Sequence, residues 1–151
     1  MSNINVLNAY IDSMQEHINE SVEDLDSLQD LLKERSWTRV ERKGGERLLQ
    51  VLVEACIGLS KHWLKAQNKV LPNDAYSVFE KLTELQLIST DDSLEWRKIV
   101  GLRNAIVHDY LNLDEKLIRA IITNQMYLKL QSFAIEISEK LKCAEELKPN
   151  H

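Results

Sequence analysis

Glycine and proline are scarce in this chain, four and two of 151 residues. That leaves little material for tight turns, so a fold of many short strands is excluded and long helices with short connections are expected. Cysteine is equally sparse. Cys56 and Cys143 stand alone, with no metal-ligand spacing, which fits a reducing cytoplasm. Cys56 lies in an apolar run and is expected in the core. No apolar run approaches the length of a membrane span, and the N-terminus lacks a basic-then-apolar signal pattern, so a cytoplasmic protein without a membrane segment is expected. Positive charge is in deficit. The formal net charge is −5, which disfavours non-specific binding of long nucleic acid but leaves room for a local basic cleft. There is no glycine-rich phosphate loop, no paired-cysteine motif and no HExxH. Carboxylates are not clustered as a metal site needs, and no Ser or Cys nucleophile has visible support. No metal and no cofactor are expected.

What is present is helical periodicity. Ile4, Leu7, Ile11, Met14, Ile18, Val22, Leu25, Leu28 and Leu32 keep steps of three and four, which predicts one long amphipathic helix of about 45 Å. A break near 24–27 stays open. Ser36 or Thr38 can cap a second helix, from about Trp37 to Gln67, with Leu48, Val51, Leu52, Ala55, Leu59 and Trp63 on its core face and Gly44-Gly45 weakening its start. The basic run Arg39, Arg42, Lys43 and Arg47, interspersed with Glu41 and Glu46, is either an ordinary charged surface or a contact for phosphates or an acidic partner. His62 has no second ligand at metal spacing and is expected at the surface or in the core. Pro72-Asn73-Asp74 stops the chain and restarts it in a short helix through Val78, Phe79, Leu82, Leu85 and Leu87. Ser89-Thr90-Asp91-Asp92 opens the fourth helix. A fifth is expected from Glu115 to about Leu147, burying Leu117, Ile121, Leu128, Phe133, Ile137 and Leu141, followed by a frayed tail at 149–151. The sum is a single all-α domain over 1–151, an antiparallel up-and-down bundle of about five helices.

The fourth helix carries the chemistry. Trp96, Ile99, Val100, Ile106 and Val107 form one apolar stripe, and Arg103 falls in its middle. An unpaired buried guanidinium is costly, so Arg103 pairs with a buried acid, reaches a rim, or lines a pocket for an anion. Tyr110 extends the same stripe. His108 lies about 140° round an ideal helix from Arg103 and one turn from Asn104. One straight helix does not aim Arg103 and His108 at one point. They converge if the helix ends near His108, or if two copies meet across a two-fold axis. Arg, Asn, His and Tyr within eight residues make a set able to cleave a phosphodiester. His108 can move a proton at a ribose hydroxyl or a leaving oxygen, Arg103 can grip the phosphate, and Asn104 can orient either. The alternative is a buried Arg–acid pair with a capping His.

The string Arg103-Asn104-Ala105-Ile106-Val107-His108-Asp109-Tyr110, preceded by Val100-Gly101-Leu102, resembles the HEPN domain motif in the RX4HXY form of the HepT toxins. Chain length, the all-helical reading and a motif just before the last long helix also match, so the likeness covers essentially the whole chain. Glu54-Ala55-Cys56 is similar to the family's pattern on the second helix. Gly58 departs from it, since relatives often carry an acid there. The resemblance implies a dimeric, metal-independent endoribonuclease toxin with the motif lining a cleft at the subunit interface. Arg103 and His108 would be its catalytic pair and Asn104 their support. It implies RNA as substrate and an MntA-type minimal nucleotidyltransferase as antitoxin. That partner would transfer AMP to Tyr110, and a larger hetero-oligomer of the two is compatible with this scheme. The rival implication is a non-catalytic HEPN module that positions substrate or nucleotide for a partner nucleotidyltransferase.

Overall fold

A computed structural model describes the backbone of residues 3–108 and 113–146, and side-chain surroundings within 5–108 and 113–142. All regular structure among these residues is helical: α1 Asn3–Glu34, α2 Arg39–Ala66, α3 Ala75–Glu84, α4 Thr90–His108, α5 Glu115–Thr123 and α6 Tyr127–Glu146. The α1 stripe runs unbroken through 24–27, and buries Ile11, Ile18, Val22 and Leu25. Thr38, rather than Ser36, caps α2. Its hydroxyl accepts from the Glu41 N–H at 3.2 Å while the Glu41 carboxylate accepts from the Thr38 N–H at 2.7 Å. This reciprocal box satisfies two of the otherwise unpaired first-turn donors. Arg35, just past α1, clamps the same carboxylate with two bonds of 2.9 Å. Together, the Arg35 guanidinium and the Thr38 amide hold the Glu41 carboxyl down at about 2.

The centre of the bundle is α1, α2 and α6. Lys142 reaches Asp12 at 2.7 Å, and Gln131 reaches Asn19 at 3.1 Å, so α6 runs antiparallel to α1. Leu49, Leu52, Cys56 and Leu59 of α2 meet Leu130, Ala134, Ile137 and Leu141 of α6 in the buried interior. Cys56 is part of this core, as its apolar surroundings suggested. Its thiol touches the Leu130 carbonyl, and burial pushes its pKa well up, so it is an inert side chain. The α3–α4 pair packs on α2. Its aromatic anchor is Phe79 stacked on Trp96 at 4.5 Å, with Phe133 of α6 edge-on to Trp96 at 4.7 Å. Lys129 of α6 adds a polar clamp, bonding Asp92 at 2.6 Å and Glu95 at 2.5 Å in the first turns of α4.

Six helices replace the five expected, because the long C-terminal helix is broken at 124–126. Gln125 takes φ 53°, the Gln125 N–H donates to the Ile122 carbonyl, and the Met126 N–H donates to that of Ile121. This is a Schellman closure with glutamine where glycine is usual. The same device ends α2 at Asn68, φ 58°, and α3 at Gln86, φ 65°. The break shifts the buried face. Leu117 and Leu128 were expected inside, but both are exposed, at 42% and 36%. Ile118, Ile122 and Tyr127 are buried instead. The turn breaks the phase between Leu117 of α5 and the buried face of α6, whereas Leu128, nine residues before Ile137 in α6 itself, lies on the opposite side of that helix. The expected tail at 149–151 lies outside the described residues.

Candidate functional site

Helix α4 leaves the core as it proceeds. Trp96, Ile99, Val100 and Leu102 are buried, residues 103–106 are half-buried, and Val107 and His108 are exposed. The middle of the α4 stripe is therefore the rim of the bundle. Arg103 lies there, with its side chain 24% exposed. Its partner is Glu54 of α2. Arg103 Nε donates to Glu54 Oε1 at 3.2 Å, and Nη2 stands 3.2 Å from the same oxygen. Nη1 donates to Asn104 Oδ1 at 2.8 Å. Of the three accommodations open to Arg103, it takes the rim, and the acid it pairs with there is 40% exposed rather than buried.

These contacts fix the guanidinium plane from two sides without exhausting its donors. An arginine has more N–H groups than one carboxylate oxygen and one amide oxygen consume. A second anion can therefore be gripped while Glu54 holds the group in place. The Asn104 amide oxygen is committed to Arg103, and its NH₂ end makes no hydrogen bond among the described residues. His108 is the last residue of α4 and is exposed. No contact joins it to Arg103 among the described residues, in keeping with their angular separation on the helix. Tyr110 lies outside the described residues.

Glu54 is the site residue that sequence reasoning passed over. It was noted only as part of a Glu-Ala-Cys string, without a role. A signal existed: Glu54 is the lone charge between Leu48 and Leu59, as Arg103 is the lone charge on the α4 stripe. Two isolated opposite charges in apolar runs are natural partners. Gly58, one turn beyond Glu54, gives its space to α1. A Cβ built there would lie 2.9 Å from the Tyr10 hydroxyl.

The basic run on α2 divides. Arg42 stands 3.3 Å from Glu115 of α5 and 3.6 Å from Glu46, whereas Arg39, Lys43 and Arg47 have no ion pair among the described residues. Trp37 Nε1 also donates to Glu115, at 2.8 Å, and this bond leads the causes that lower the Glu115 pKa. No group of three His, Cys, Asp or Glu side chains among the described residues is placed to hold a metal ion. No described helix is long and apolar enough to cross a membrane.

A family model described as "HepT-like: Ribonuclease HepT-like" matches residues 18–137. Two curated proteins align with the chain. The mRNA nuclease HepT of Shewanella oneidensis is 41% identical over 68 residues, 44% of this chain and 51% of that protein. The tRNA nuclease HepT of Aphanizomenon flos-aquae is 31% identical over 94 residues, 60% of this chain and 56% of that protein. The chain thus spans about half the length of the curated relatives it matches. Among solved structures, the tri-AMPylated Shewanella oneidensis HEPN toxin in complex with MNT antitoxin superposes with a TM-score of 0.66. It is 22% identical, and the match covers 98% of this chain and 100% of that one. That likeness places the six-helix bundle in the HEPN fold.

Proposed function

The chain belongs to the ribonuclease HepT-like family, and from that membership we propose that it is a metal-independent endoribonuclease toxin whose activity is centred on Arg103 and His108. The observation that carries this reading is the tethered Arg103, fixed by Glu54 and Asn104 at the rim with donors to spare, five residues before the exposed His108. Arg103 grips the scissile phosphate and stabilises the charge that develops on it. The ribose 2′-oxygen bonds to phosphorus and the bond from phosphorus to the 5′-oxygen breaks. His108 moves the protons, off the attacking hydroxyl and onto the leaving oxygen. The products are a cyclic phosphate and a 5′-hydroxyl. The nuclease names of the two curated relatives support RNA as substrate.

We place this chemistry in a cytoplasmic homodimer, where two copies of the α4 end meet across a two-fold axis and form one cleft. The antitoxin is an MntA-type nucleotidyltransferase, a reading supported by the AMPylated HEPN toxin found in complex with MNT antitoxin. Its acceptor is Tyr110, two residues beyond His108. An AMP there brings a phosphate of its own to Arg103 and repels RNA. The second reading, a non-catalytic module serving a nucleotidyltransferase, is favoured by one feature. Gly58 leaves Glu54 without an acidic neighbour one turn on, and a tyrosine hydroxyl fills the place.

The deciding experiment is cleavage of labelled RNA in EDTA by unmodified protein beside His108→Ala. Cleavage by the first alone is expected. Cleavage by both refutes the role of His108, and cleavage by neither, from protein of unmodified mass, supports the binding module.

A further inference from the structure

The exposed face of α2 continues past Glu54 in a pattern that the cleavage reaction does not use. Gly58, Lys61, His62 and Lys65 follow at four, seven, eight and eleven residues and lie on the same side of the helix as Glu54. Lys65 and His62 are exposed and Lys61 is half-buried. Neither lysine has an ion-pair partner among the described residues. Tyr10 of α1 forms the opposite wall. Its ring packs on that of His62 at 4.7 Å, tilted by 49°, and its hydroxyl reaches over Gly58, where an added Cβ would lie 2.9 Å from it and push it aside. A bare backbone at 58 therefore joins the Arg103–Glu54 contact to an aromatic pair flanked by two cations. From Glu54 to Lys65 this surface extends about 16 Å.

Cations tracking a strand beside rings that stack bases are the two parts of a single-strand binding surface. We infer that this face of α2, from Gly58 to Lys65 with Tyr10 beside it, is the track that holds the RNA strand flanking the scissile phosphate. Lys61 and Lys65 neutralise successive phosphates, and the Tyr10–His62 pair offers a face to a base. The track explains how a chain of net charge −5 holds RNA: its basic residues need only be dense along one helix face. The inference rests on the ribonuclease reading, and it assigns to α2 the binding that α4 does not supply.

The test measures affinity of the full chain for a short fluorescent single-stranded RNA across a salt series, in a His108→Ala background to prevent cleavage. Lys61→Gln with Lys65→Gln is expected to weaken binding at least tenfold at low salt. The slope of log affinity against log salt should become shallower by about 1.4, the contribution of two phosphates on a single strand. His62→Ala is expected to weaken binding about tenfold with the slope unchanged, because stacking releases no counterions. Lys116→Gln with Lys140→Gln, on α5 and α6, should change neither quantity. Unchanged affinity in the Lys61/Lys65 variant, while the parent chain with His108 intact cleaves RNA, overturns the track and leaves the nuclease standing. A chain that neither binds nor cleaves RNA overturns both. Unchanged RNA affinity with lost binding of the nucleotidyltransferase gives the two lysines to the protein partner and overturns the track.

Discussion

Replacing Arg103 by alanine separates a functional arginine from a structural one, because the two roles differ in size. The Arg103–Glu54 pair spans 3.2 Å with its side chains 24% and 40% exposed. Solvent screens a pair at that exposure, so the ionic part is worth about 0.5–1 kcal/mol. Burial of the methylene stem of this half-buried arginine adds about 1 kcal/mol. The expected cost of Arg103→Ala is therefore about 1.5–2 kcal/mol, a fall in Tm of roughly 3–8 °C. A fully buried pair broken on one side costs about 3–5 kcal/mol, since the surviving charge has nowhere to go. Glu54, already reaching water, does not face that penalty. Urea unfolding followed by circular dichroism reads the difference. It is done at one protein concentration, because association contributes to apparent stability. Arg103→Met retains most of the stem and should cost less than about 1 kcal/mol. Combined with Glu54→Gln in a double-mutant cycle, it should give a coupling of about 0.5–1 kcal/mol. In the same proteins, RNA cleavage should fall by at least about 10²-fold, as when one charge-stabilising donor is removed. A stability loss above about 3 kcal/mol, or near-normal cleavage by folded Arg103→Ala protein, refutes the reasoning.

Three further expectations follow from other parts of the molecule. The Glu41 carboxyl is held at about 2 by Arg35 and Thr38, below its unfolded value near 4.3. Its stabilising effect is thus present above that unfolded value and is lost as pH falls through about 2. The gap in urea midpoint between the parent chain and Glu41→Gln should be constant near neutrality and close between about pH 4.5 and 2; a gap that widens on acidification contradicts the clamp. Gln125 sits at φ 53°, where a side chain is strained and glycine is not. Gln125→Gly should raise stability by about 0.5–1 kcal/mol, which thermal unfolding would register as a Tm increase of roughly 2–3 °C; a decrease would show that the Gln125 side chain itself holds the turn. Incubated with ATP and the MntA-type nucleotidyltransferase proposed as its antitoxin, the chain should gain the mass of one or more AMP units, and Tyr110→Phe should gain none. An adduct that persists in Tyr110→Phe moves the acceptor elsewhere.

Much of the bundle was legible because few residues contradict one another. The nine apolar positions of α1 keep one face for the whole helix. Asp74 and Asp114 are strong caps, and each accepts from first-turn N–H groups. The break before α6 was not legible, because it uses neither glycine nor proline. Asn124-Gln125 differs little from a helix interior, and its left-handed residue is closed by two backbone bonds, from the Gln125 and Met126 N–H groups to the Ile122 and Ile121 carbonyls, that no residue type there announces. The motif was legible as a string, but its surroundings were not. A helical wheel put Arg103 at the centre of an apolar face, while the bundle curves away beneath α4 and turns that centre into an edge. Glu54 was invisible as a partner for the same reason. The two residues stand 49 apart in the chain, and nothing local states that α2 and α4 cross there.

The two clamps on α4 lie at one end. Trp96 is wedged between Phe79 and Phe133, and Lys129 bridges Asp92 and Glu95, all in the first two turns. Beyond Leu102 the helix is held by the Glu54 contact and the half-buried Ile106, and runs out to the surface. Mechanically it is a cantilever, built into the wall at its root and loaded at its tip. Work done at the tip is borne there, and the root does not need to yield. The AMP proposed for Tyr110 would load that tip and leave the clamped root in place. In such a beam, the chemistry at one end can be switched off while the protein stays whole and ready to be switched on again.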